Sequence, residues 1–214
     1  ELLLLLSPKA SQLLGDYQKV LKSRNRVLKT MKMGDVTFDQ GVQLLESLNP
    51  LFLAAATKLT AERILALRNL APDLRETLKK VLNKNVDISV DYLMSSEQAN
   101  AFDSSEIHDA LRLRLLQLQK AEIESGTSLV GPHKHDIRFM IDAHDSRYYC
   151  SQGQQRALIL SFKMAQIMYH GRVHREQPIL LLDDVLSELD AERRANLIEF
   201  LKGINSQIFL TTTD

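Results

Sequence analysis

The 214 residues carry 27 basic and 27 acidic side chains, with 44% hydrophobic and 25% charged residues, a globular balance rather than a disordered one. Apolar runs such as Leu2–Leu6 and Pro178–Leu182 fall far short of the ~20 residues that span a bilayer, and Glu1 opens the chain without a basic leader, so neither a membrane span nor a signal peptide is expected. One cysteine, Cys150, excludes an internal disulfide and a Cys-rich zinc site, and it fits a reducing, cytoplasmic setting.

The neutral total is polarised. Residues 1–34 hold seven bases against two acids, and residues 176–199 hold seven acids against two bases. In the first segment Leu14, Tyr17, Leu21, Arg24, Leu28 and Met31 recur at steps of three and four, which predicts an amphipathic helix ended by Gly34-Asp35. Its bases, Lys19, Lys22, Arg24, Arg26 and Lys29 among them, are either a solvated helix face or a contact for phosphate backbones. A second helical stretch runs from about Phe38 to Leu70, with a break or kink expected at Pro50 because a proline ring clashes with the preceding turn. Pro72 reads as the first-turn proline of a short helix ending near Leu82. Val86, Ile88, Val90 and Tyr92 alternate as a strand, and Asp103 with Glu106 forms a capping box for a helix stopped by Gly126. Residues 1–126 therefore read as a mainly helical lobe.

After Gly126 the period changes, and residues 127–214 read as a second domain. Ile137, Phe139 and Ile141 alternate as a strand, Arg147–Cys150 reads as a short extended piece, and Gln154–His170 as a helix. Ile179–Leu182 predicts a parallel strand buried on both faces, followed by a helix over Glu192–Leu201 and a last strand, Ile208–Leu210. Alternating strands and helices are α/β order.

Two segments carry chemistry. Ile179–Asp184 ends an apolar strand in two carboxylates, which suits Mg²⁺ with nucleotide phosphates or, alternatively, the cap of a following helix. As neighbours on an extended strand, Asp183 and Asp184 are expected to point to opposite sides. Cys150–Arg156 joins a strand to a helix through a serine and a glycine, which suits either an anion site at a helix N-terminus or an ordinary serine cap.

The ordered set of motifs resembles the second half of an ABC-type ATPase head: signature, Walker B, D-loop and switch. Cys150, Ser151, Gln152, Gly153 and Gln154 take the places of Leu-Ser-Gly-Gly-Gln, with the first glycine replaced. The runs Ser-Gln-Gly-Gln-Gln-Arg and Leu-Leu-Leu-Asp-Asp-Val-Leu-Ser-Glu-Leu-Asp, and the terminal Thr-Thr-Thr-Asp, resemble the RecF family of bacterial recombination mediators. Gly131–Asp136 is similar to that family's Gly-Pro-His-Arg-Asp-Asp element, with lysine at 134 and histidine at 135. Tyr17–Asn25 resembles the start of its helical lobe.

The resemblance implies an α/β fold, the carboxyl-side part of an ABC-type head with a mixed or parallel sheet flanked by helices, joined to a helical lobe. It implies ATP and Mg²⁺ as cofactors, slow hydrolysis, an ATP-dependent homodimer, DNA at gaps or single/double-strand junctions, and partner mediators that assist recombinase loading. Asp183 would hold Mg²⁺ and Asp184 would polarise the attacking water. Ser151, Gln152, Gly153 and Gln154 would meet the nucleotide of a second protomer. Ser187, Glu188 and Asp190 would form the D-loop at the dimer interface, and Thr212 or Thr213 would take the switch position. The sequence holds no Gly-x₄-Gly-Lys-Ser/Thr loop, so this chain reads as a carboxyl-side piece that is inactive by itself. Two other readings are an SMC-type chromosome ATPase head and a non-enzymatic helical module touching DNA or protein through residues 9–32.

Overall fold

The computed structural model describes residues 9–82, 86–175, 178–185 and 189–211. They fall into two compact units. One comprises Ala66–Asp91 and the chain from Ile137 onward, and the other comprises Ser7–Leu65 and Tyr92–Asp136. Residues 66–91, placed with the helical lobe by sequence, thus lie with the α/β unit, and residues 127–136 lie with the helical one.

In the helical unit, α1 (Ala10–Met33) ends at Gly34, whose left-handed backbone returns its amide to Met31 and Thr30. The capping box at the start of α3 (Ser104–Ser125) is present, with Asp103 accepting from Ser105 and Glu106 amides, and Gly126 closes the helix in the left-handed region. The buried face of α1 consists of Ala10, Tyr17, Arg24 and Leu28. Arg24 is 2% exposed. Its guanidinium bonds both oxygens of Glu122 at 3.1 and 2.7 Å, Ser128 Oγ at 2.7 Å and Asn49 Oδ1 at 3.1 Å. The expectation that Arg24 contacts DNA is therefore corrected: the bidentate partner and two further acceptors hold this charge in the core.

A single helix, α2 (Phe38–Leu82), replaces the stretch to Leu70, expected to break or kink at Pro50, and the separate short helix expected from Pro72. Each proline forfeits one helical bond and clashes with the preceding turn, roughly 3 kcal/mol apiece. Both rings face solvent. The opposite face buries Leu45, Phe52, Leu59, Leu70, Leu74 and Leu78 almost completely. At roughly 1.5–3 kcal/mol for each such side chain, that stripe outweighs the two prolines.

The strands β1 (Ile88–Met94), β2 (Glu97–Gln98), β3 (Asp136–Ile141) and β4 (His144–Asp145) form a sheet in the order β2-β1-β3-β4. Two-residue turns with positive φ at both positions, Ser95-Ser96 and Asp142-Ala143, make its hairpins. The segment expected as extended at Arg147–Cys150 is instead a one-turn helix, α4 (Ser146–Tyr149), because the Asp145 carboxylate caps the Arg147 amide. Helix α5 (Gln152–His174) packs Ala157, Leu158, Ala165 and Tyr169 against Leu70, Leu74 and Leu78 of α2.

The other side of α5, through Leu160 and Met164, joins β5 (Leu180–Leu182) and α6 (Ala191–Lys202) in a second apolar cluster with Leu197 and Leu201. Strand β5 pairs in parallel with β6 (Ile208–Leu210). It is not buried on both faces as the sequence suggested: Leu180 and Leu182 point inward, while Ile179 and Leu181 are 63% and 72% exposed and Phe209 is 51% exposed. Among the described residues, no helix is long and apolar enough to cross a membrane.

Candidate nucleotide site

The parallel ladder builds the acidic centre. Leu180, Leu181 and Leu182 stand opposite Ile208, Phe209 and Leu210, and the Thr211 amide extends the ladder to Leu182 O at 2.9 Å. The next pair outward is Asp183 and Thr211. The Thr211 hydroxyl donates to Asp183 Oδ1 at 2.5 Å and accepts the Asp184 amide at 3.1 Å. Asp184 has φ +49°, in the left-handed region. The two aspartates are thus not successive strand positions. The chain turns at Asp184, and one hydroxyl ties both residues to the neighbouring strand.

This donor set suits a hard cation. Asp183 is exposed, one carboxylate oxygen is occupied by a hydroxyl donor, and the other has no hydrogen bond from the described residues. No group of three His, Cys, Asp or Glu side chains converges among the described residues. Mg²⁺ needs no such cage, since one or two carboxylates with waters and phosphate oxygens satisfy it.

Around the signature-like segment the structure forms a capping box: Ser151 Oγ accepts the Gln154 amide at 3.3 Å, and Gln154 Oε1 accepts the Ser151 amide at 2.9 Å. Gln155 donates to carbonyls of Ser146, Arg147 and Cys150, tying the α4 turn to α5. The amides of Gln152 and Gly153, at the first two positions of α5, have no acceptor among the described residues, which is the ordinary condition of a helix start and one favourable to an anion.

Asp190 caps α6 by accepting the Arg193 amide at 2.9 Å and pairs with Arg193 Nη1 at 2.9 Å. That same Nη1 lies 2.7 Å from where a Cβ on Gly153 would stand. Arg193 therefore brings a cation from the D-loop helix to the start of α5, and any side chain at 153 displaces it. Sequence reading passed over both Arg193 and Thr211. Thr211 entered the sequence reading only as the first residue of the terminal Thr-Thr-Thr-Asp motif, and its bond to Asp183 requires the parallel pairing. Ser187, Glu188, Thr212 and Thr213 lie outside the described residues. On α1, Lys19, Lys22, Arg26 and Lys29 are exposed at steps of three, four and three, a single stripe.

No protein-family model matches the chain. Curated relatives do. The chain is 35% identical over 207 residues to the DNA replication and repair protein RecF of Heliobacterium modesticaldum, covering 97% of this chain and 54% of that protein. It is 37% identical over 202 residues to the protein of the same name from Staphylococcus epidermidis, covering 94% and 53%. A solved structure described as the recombination mediator protein RecF with ATP in the RecFOR pathway superposes with TM-score 0.79 at 28% identity, covering 98% of this chain and 54% of that one. The chain is a RecF homologue. It spans about half the length of the RecF proteins it matches, and the matched part of the solved structure is the carboxyl-terminal half. The α/β fold, a carboxyl-side ABC-type head with a helical lobe, follows from the same superposition.

Proposed function

We propose that this chain is the carboxyl-side part of an ATP-dependent recombination mediator, with residues 127–214 serving the nucleotide and most of residues 1–126 serving DNA. The observation that carries the reading is the Thr211–Asp183–Asp184 arrangement at the carboxyl ends of two parallel strands, where α/β sheets place their ligands. In this reading Asp183 holds Mg²⁺, which supplies charge neutralisation at the phosphates when bound. Asp184 orients water, and Thr211 holds the Asp183 carboxylate and the Asp184 backbone in place. The exposed apolar side of β5 and β6 is consistent with a sheet face that the remaining half of the longer protein covers.

Ser151, Gln152, Gly153 and Gln154 would meet the nucleotide of a second protomer, with Ser187, Glu188 and Asp190 at the same two-fold interface and Thr212 or Thr213 near the γ-phosphate. Arg193 adds positive charge there. The α1 stripe of Lys19, Lys22, Arg26 and Lys29 would track DNA phosphates at gaps or junctions, and partner mediators and recombinase loading follow from the family. The decisive experiment uses the full-length protein with Mg²⁺-ATP. Asp184→Asn should slow hydrolysis by roughly 10²–10⁴-fold while keeping ATP-dependent dimers. Asp183→Asn should weaken nucleotide binding only when Mg²⁺ is present. Equal losses of melting temperature in both variants with near-normal turnover would reduce the pair to helix-capping groups.

A further inference from the structure

The helical unit contains a separate pocket of about 430 Å³, within the usual range for small-ligand sites. Its lining joins three elements: Arg114 and Gln117 from α3, Lys134 and His135 from the turn after Gly131, and Glu97 and Phe102 from β2 and the segment behind it. The Lys134 ammonium has no hydrogen-bond partner among the described residues, and Arg114 spends one donor on Gln117 Oε1 at 3.0 Å. The Tyr92 hydroxyl and His135 Nδ1 are hydrogen-bonded at 2.9 Å. His135 Nε2 has no hydrogen-bond partner among the described residues and is left over for a ligand. Donors thus gather from the turn and α3, while Glu97 supplies an acceptor and Phe102 a ring face from the hairpin side. An anion alone would leave the carboxylate and the ring unused. A nucleotide uses all of them: phosphate on Lys134 and Arg114, a further polar contact on His135 Nε2, base face on Phe102, and an exocyclic amine on Glu97. We propose that this pocket binds the phosphate-bearing end of a nucleotide, either free or at the terminus of a DNA strand.

The proposal uses no residue of the ATPase reading, so the two stand or fall separately. Calorimetric titration of the 214-residue chain with dCMP, deoxycytidine and inorganic phosphate tests it. Saturable dCMP binding is expected, with deoxycytidine at least about tenfold weaker, the effect of losing a charge-assisted contact. Lys134→Ala and Arg114→Gln should each weaken dCMP by about tenfold with melting temperature unchanged. Glu97→Gln should weaken dCMP but spare inorganic phosphate, and Asp183→Asn should change neither. Displacement of dCMP by a 5′-phosphorylated oligonucleotide assigns the ligand to a strand terminus, and absence of displacement assigns it to the free nucleotide. Equal displacement by the unphosphorylated oligonucleotide, or dCMP affinity indifferent to both Lys134→Ala and Arg114→Gln, overturns the proposal, as does failure of dCMP to bind at all.

Discussion

Arg24 shows how far a charge can be drawn into this fold when four of its five N–H groups find acceptors. Removing the guanidinium leaves the fully buried Glu122 uncompensated, so Arg24→Met should cost about 3–5 kcal/mol in urea unfolding. The same change should leave the electrostatics of the exposed α1 stripe nearly intact. Thr211 is the opposite case, an exposed residue whose value is positional. Thr211→Val should alter melting temperature little yet lower Mg²⁺-dependent nucleotide affinity of the full-length protein by roughly 10–100-fold, with Thr211→Ser restoring it. His135 gives a pH signature. Burial first, then the nearby Arg63 and His133, hold its ring down at about 4. A folded value below the unfolded value of about 6.5 means that the unfolded chain binds the extra proton first. Stability is therefore complete above pH ~6.5 and falls as pH drops toward 4, by a few kcal/mol at most. Urea midpoints at pH 7 and 5 should differ less for His135→Gln than for the unaltered chain.

At the scale of elements, α2 is the instructive one. Pro50 sits on the solvent side of a continuous helix, so Pro50→Ala should restore a helical bond worth roughly 3 kcal/mol and relax the unfolded chain by less than about 1 kcal/mol. A net gain of about 2 kcal/mol in thermal or urea unfolding is expected. A loss would mean that the proline shapes the helix for packing. Elements with local determinants were legible from sequence: the capping box at Asp103 and Glu106, the stop at Gly126, and the alternation of Ile137, Phe139 and Ile141. Arg147–Cys150 was misread because its helix is a single turn held by the Asp145 carboxylate, a side-chain bond that leaves no periodic trace.

At the scale of the molecule, charge and completeness govern behaviour. Four exposed bases along α1 should give salt-dependent DNA binding, and Lys22→Glu with Arg26→Glu should lower the slope of log affinity against log salt by about two. Filter binding across a salt series measures it, and an unchanged slope would move the DNA contact off α1. With no P-loop in its sequence, the isolated chain should bind ATP weakly, and micromolar affinity by calorimetry would contradict the head reading.

The sequence by itself determined where most of the longer helices and strands lie, the order of the nucleotide motifs and the family to which they point, because caps, periodicity and short motifs act over a few residues. Only the tertiary structure decided that Arg24 is a core residue, since its partners Glu122 and Ser128 lie about a hundred residues away along the chain. It also decided that α2 continues through two prolines, where the burial of one face outweighs a local penalty. And it brought Thr211 to Asp183, because the register of two parallel strands is set by packing between segments that no local pattern connects.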